Sequence, residues 1–195
     1  MSDDLQQRLD ILLHRLRTNY DGIGHSSGRP YVYFVYPPEQ ERTVQRMVDE
    51  QLHSGNVLFI YHIDLLPLTI SSLAGQEERR QQLLNDPAKK DSVAEAMMRL
   101  WARTISREIA AWLTHTHQEG RPVIVLRGLA ALHPLGNPTA LMEFLAEQEP
   151  RNPSTNTVVP IVLLIPGIRP PQTSHRYFFL GQERLRFDFY RGEEM

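Results

Sequence analysis

The chain has 195 residues, 41% hydrophobic and 23% charged, the balance of an ordinary globular protein able to bury a sizeable core. Its net charge of −2 supplies no overall field for nucleic acid or an anionic membrane. The absence of cysteine excludes disulfides, thiolate catalysis and Cys-based zinc or iron–sulfur sites. Positive charge is almost wholly arginine, with lysine only at Lys89 and Lys90. Met1 to Leu16 is charged and amphipathic, without the basic-then-apolar layout of a signal peptide. The longest apolar run, Val158 to Pro166, is far too short to span a bilayer, so a cytoplasmic location with no membrane contact is expected.

Leu5, Leu9, Leu12, Leu13 and Leu16 recur at helical spacing, with Ser2, Asp3 or Asp4 able to cap the first turn. A loop from Asn19 to Pro30, punctuated by Gly22, Gly24 and Gly28, leads into Tyr31 to Tyr36, a β-branched and aromatic run suited to a strand buried on both faces. Pro37 and Pro38 end that strand and open a helix whose apolar stripe is Val44, Met47, Val48 and Leu52. Gly55-Asn56 turns the chain into a second strand, Val57 to His62. Ile63 to Asn85 reads as helical in pieces, broken around Ala74-Gly75, and Asp86-Pro87 ends it. A long amphipathic helix follows from Asp91 to Gln118, with Trp101 and Trp112 on its apolar side as expected core residues. Pro122 to Leu126 is a third strand and Thr139 to Gln148 a short helix. Val159 to Ile165 is a fourth strand, Pro166 to Ser174 a loop, and Leu185 to Tyr190 a last strand.

Apolar strands alternating with helices predict an α/β fold: one domain over residues 1–195, with an N-terminal helix over 1–20 and a helical region over 63–118. The expected architecture is a three-layer, mostly parallel sheet flanked by helices. Its topology is Rossmann-like or P-loop-like, without a phosphate-binding loop.

Ligands of such sheets bind at the carboxyl ends of the strands, so those ends carry the test for chemistry. At the first, Tyr36-Pro37-Pro38-Glu39 cannot be a Walker loop, because two prolines supply no amide hydrogens and no lysine follows. At the second, His62 and Asp64 form half of a metal or acid–base site, or Asp64 caps the next helix and His62 lies at the sheet edge; the second reading is favoured. At the third, Arg127-Gly128 lacks a following carboxylate, and Arg127 binds an anion or pairs with a neighbouring acidic side chain. His115 and His117 point about 200° apart on a helix and cannot chelate together. Arg79-Arg80 with Arg99, Arg103 and Arg107 form a basic line, read as a solvated face paired with Glu95 and Glu108 before a DNA contact. No nucleophile–base pattern appears, so no catalytic, cofactor-binding or metal residue is assigned and no cofactor is expected.

Four segments in order carry a family resemblance: the Leu-rich first helix with YFVYPPEQE at Tyr33 to Glu41; VIVLRGLAALHPLGNPTALMEFL at Val123 to Leu145; VPIVLLIPG at Val159 to Gly167; and the ending Phe189-Tyr190-Arg191. Together they resemble the BrxB component of bacteriophage exclusion (BREX) defence systems. The resemblance implies a non-enzymatic scaffold or adaptor. Its partners would be the other system proteins, foremost the PglZ-like protein, then the adenine methyltransferase and the large ATPase, in support of host DNA methylation and phage restriction. DNA would be met only indirectly or weakly. The expected partner-binding residues are Tyr36, Pro37, Pro38, Arg127, His133, Arg169, Tyr190 and Arg191. The alternatives are a degenerate nucleotide-hydrolase-like enzyme or nucleotide sensor built on His62, Asp64 and Arg127, and a DNA-binding accessory module built on Arg99, Arg103 and Arg107.

Overall fold

The computed structural model describes residues 2–24, 28–115, 120–170 and 175–195. Its elements in chain order are α1 (Ser2–Thr18), β1 (Tyr31–Tyr36), α2 (Glu41–Gln51), β2 (Leu58–Asp64), α3 (Leu65–Ser71), α4 (Glu77–Leu84), α5 (Lys90–His115), β3 (Arg121–Arg127), α6 (Pro138–Leu145), β4 (Ile161–Ile168), β5 (Arg176–Phe179), β6 (Arg186–Asp188) and β7 (Glu193–Glu194). The central sheet runs β2-β3-β4-β1-β7, with every neighbouring pair parallel. This is the expected three-layer, mostly parallel α/β architecture. Among the described residues no helix is long and apolar enough to cross a membrane.

The layers follow from side-chain alternation along the strands. Val32, Phe34 and Tyr36 of β1, with Val123, Val125, Val162 and Leu164, face α1 and α2. Tyr31, Tyr33 and Val35, with Ile124, Leu126, Leu163 and Ile165, face α3, α5 and α6. Both faces are covered, so every β1 residue is buried and the strand reads as an unbroken apolar and aromatic run. α1 seals one face with Leu5, Leu9, Leu12 and Leu16, all at most 2% exposed. Each such leucine contributes about 1.5–3 kcal/mol. On the other face Trp101 of α5 is 2% exposed, and its indole donates to Ser72 Oγ at 3.0 Å, tying the end of α3 to the long helix.

Both outer strands of the central sheet are guarded. Ser54 Oγ accepts from Ile60 N at 2.9 Å, and Gly55 N donates to Leu58 O at 2.9 Å, so the loop before β2 satisfies backbone groups that β3 does not. β7, on the opposite side, is two glutamates long.

Several boundaries differ from expectation. β2 starts at Leu58 and runs through Ile63 to Asp64, because Ile63 pairs with Leu126 and only Asp64 can cap the following helix. β4 continues through Pro166, where its missing amide is harmless because the ladder with β3 has ended at Leu163. It then pairs antiparallel with β5, a strand unforeseen between Arg176 and Phe179, and β6 closes the hairpin. The expected last strand, Leu185 to Tyr190, is reduced to Arg186–Asp188. Trp112 is half-buried and stacks on Tyr61 of β2 at 5.1 Å between ring centroids, while Trp101 is the core residue expected.

Candidate functional site

β1 and β4 are neighbours whose following segments diverge. α2 packs on one face through Val44 and Val48, and the β5 hairpin on the other through Tyr177 and Phe179. Such a switch point opens a crevice at the carboxyl edge. Here it measures about 200 Å³ and is lined by Arg8, Val35, Pro37, Gly167, Ile168 and Arg169, among others.

Pro37 is extended and Pro38 begins a single turn closed by Gln40 N donating to Pro37 O at 2.8 Å. Neither proline carries an amide hydrogen, so the phosphate-cradling arc of backbone donors cannot form at this position. The crevice's cationic groups are already engaged. Arg8 reaches in from α1, donates to Val35 O at 2.9 Å and to Met195 O, and lies 4.9 Å over the Phe34 ring. Burial pulls its pKa down, opposed by Asp4 and Glu194. Arg169 pairs with Glu194 at 2.5 Å, and burial pushes the Glu194 carboxyl up against the pull of both arginines.

At the β2 and β3 ends a second set of charges closes on itself. Asp64 caps α3, accepting from Leu66 N at 3.0 Å, as favoured from the sequence. Arg127 pairs with Asp49 at 2.6 Å and stands 3.9 Å from Asp64. His62 lies on outer strand β2 with Nε2 2.7 Å from Leu52 O, and burial lowers its pKa, with Arg127 adding to the effect. Gly128, with φ of 69°, is required between them: a Cβ there would stand 2.5 Å from Asp64 Oδ1. Gly128→Ala should therefore destabilise the fold by about 1–3 kcal/mol, measured as a lowered urea midpoint at unchanged slope.

The expected partner residues divide into two groups. Pro37, Pro38, Arg127 and Arg169 do lie at the carboxyl edge. Tyr36 is corrected: it is 1% exposed, its hydroxyl donates to Glu41 Oε2 at 2.7 Å, and burial beside that carboxylate pushes its pKa up. A side chain on a strand covered on both faces has no route to a partner. Tyr190 and Arg191 lie away from this edge, because Glu193 pairs with Val32 and places the preceding residues beside the start of β1, at the amino edge. There Tyr190 O accepts from the Tyr33 hydroxyl, and Arg191 lies 5.9 Å over the Tyr190 ring. His133 is half-buried behind the turn Leu129–Leu132.

The basic line of α5 separates as well. Arg99 pairs with Glu95 at 2.9 Å and stacks on Phe144 at 4.6 Å. Among the described residues Glu108 pairs with none of these arginines: it lies on the Tyr61 side of the helix, and burial raises its pKa. His115 folds back to Ala111 O at 2.7 Å, and His117 lies outside the described residues. Among the described residues no group of three or more His, Asp or Glu side chains is placed to hold a metal.

Three carboxyl-edge residues escaped sequence reasoning. Leu66 and Ile70 of α3 are 55% and 65% exposed, one turn apart, and Ile168 at the end of β4 is 43% exposed. Pro38 and Ile168 both come within 4 Å of a Cβ built on Gly181, so they form one ridge. Leu66 and Ile70 carried a faint signal: they sit one turn apart in a segment whose inward positions are taken by Leu65, Leu68 and Thr69. Compared with family models, curated proteins and solved structures, the chain has no match.

Proposed function

We propose that this protein is a non-enzymatic adaptor that docks a partner protein on the carboxyl edge of its sheet. The observation carrying this reading is a substitution of surface character at the ligand-binding end of the fold. Prolines stand where amide donors would be, the arginines of the crevice are held by backbone carbonyls or carboxylates, and Leu66, Ile70 and Ile168 are exposed there. Apolar side chains rimmed by charged ones are the usual makeup of a protein contact.

On the resemblance of its ordered segments to BrxB, the assembly proposed is a BREX-type phage-defence system in the cytoplasm, with the PglZ-like protein as first partner. A nucleotide sensor at the same edge is less well supported, because Arg8 and Arg127 are already committed. Leu66→Asp/Ile70→Asp and, separately, Ile168→Asp should each reduce capture of the PglZ-like protein at least about tenfold, each desolvated apolar contact contributing about 1–2 kcal/mol. The readout is co-purification from cells carrying the whole defence cluster, with unfolding midpoints checked in parallel. Undiminished capture by both variants removes the docking site, and no capture by the parent chain removes the partner assignment.

A further inference from the structure

At the amino edge of the sheet, opposite the crevice just described, α5 and the loop before β4 enclose a cleft of about 280 Å³. Its floor is apolar: Ile109, Leu145 and Ile161 are each at most 1% exposed. Pro150 and Pro153 form one wall and Ala110 the opposite lip. The wall is built to keep its shape, since Arg151 bridges to Val158, Val159 N donates to Pro150 O at 2.9 Å and Asn152 N to Thr157 O at 2.9 Å. A cleft of this size admits one large apolar side chain rather than a cofactor.

The charge around it has one sign in surplus. Glu149 on the rim is answered by Arg29 and lies 3.5 Å from Arg151, whose side chain is 49% exposed. Along α5, Arg103 and Arg107 are exposed at successive turns, and each lies three residues before a lining residue, Ser106 and Ala110. Neither arginine has an acidic partner among the described residues, unlike Arg99 one turn earlier. Glu108 cannot neutralise them, for it faces the other side of the helix beside Tyr61.

We infer that this cleft is a second protein-docking site, taking a single large apolar side chain carried by an acidic segment of a partner. Charge complementarity selects the acidic segment and the closed apolar floor selects the anchor. Nucleic acid is disfavoured because no aromatic ring among the described lining residues offers bases a stacking surface. The cleft stands independently of the carboxyl edge, and either surface can fail without the other.

The test uses the full chain with 13C-labelled isoleucine and leucine methyls. The probe is an acetylated, amidated heptapeptide bearing one central phenylalanine among aspartates and glutamates. The peptide should shift the methyls of Ile109, Leu113, Leu145 and Ile161 with a Kd of about 1 mM or tighter. Ala110→Phe, which fills the mouth from an exposed position, should abolish the shifts. Arg103→Ser/Arg107→Ser should weaken binding about fivefold. All three substituted positions are solvent-facing, and the dispersion of the remaining methyl signals reports folding. The inference is overturned by equal shifts from the peptide with alanine in place of phenylalanine, by undiminished binding to Ala110→Phe, by no shift at several millimolar peptide, or by an oligothymidylate that displaces the peptide at lower concentration.

Discussion

Trp101→Ala should lower stability by about 3–5 kcal/mol, the range for removing a fully buried aromatic side chain from a packed core. Trp101 sits at the centre of the layer formed by α3, α5 and α6, 2% exposed, with its indole nitrogen bonded to Ser72. Trp101→Phe separates the two contributions. It retains most of the volume and drops the hydrogen bond, and should cost about 1–2 kcal/mol, the net value of one bond plus a small void. Urea unfolding followed by far-UV circular dichroism reads both. The pair also bears on docking, because Ser72 lies just past the exposed Ile70. In the phenylalanine variant, a loss of partner capture larger than its stability loss would identify α3 positioning as Trp101's second effect. Equal stability losses in the two variants would mean that the ring's volume is not what the core uses.

Arg8→Ala should cost about 2–4 kcal/mol, since one guanidinium serves Val35 O and Met195 O and its removal leaves both carbonyls short of a donor in a confined space. The cause lies in the brevity of β7. Two residues cover only the Val32–Tyr33 part of β1, and Arg8 takes over beyond them. Arg8→Lys should recover less than half of the loss, because an ammonium lacks the planar fork with which the guanidinium reaches both carbonyls while stacked over Phe34. Chemical denaturation gives the magnitudes. Hydrogen exchange gives the location: the amide of Met195, which donates to Tyr33 O, should lose protection first. Lysine matching arginine would show that charge alone suffices.

What was legible in the sequence follows from where burial is symmetrical. β1, β3 and β4 are covered on both faces, and their runs of Val, Ile, Leu and aromatics announce strands without any alternation. The Asp64 cap was the favoured of two readings, since a short acid between a strand and a helical segment can accept from the amides of the first turn. β5 and β7 were not. β5 is four residues beginning with an exposed arginine, and β7 is a pair of glutamates whose strand character depends on a backbone neighbour more than 150 residues earlier. The carboxylates of β7 are tolerated because Arg15 meets Glu193 and Arg169 meets Glu194, each at 2.5 Å, a circumstance no local pattern encodes. The same return path sets the place of Tyr190 and Arg191, for an ending close to the fourth strand in sequence is carried back to the start of the first. Tyr36 was misjudged for a different reason. Its position at a strand end suggested accessibility, whereas side-chain direction on a doubly covered strand decides the matter.

The loop that binds the flank of β2 and the two glutamates closing the far side have a bearing on behaviour at high concentration. An uncovered sheet flank recruits foreign chains by main-chain pairing, whatever their identity, and the product grows without a fixed end. Here Ser54 and Gly55 occupy the places where such a recruit would bond to Leu58 and Ile60, and a newcomer at the far side finds a strand of only two residues, Glu193 and Glu194. Main-chain pairing is thereby opposed at both flanks of the central sheet, which favours association there through side-chain surfaces that recognise sequence and saturate even when the chain is abundant.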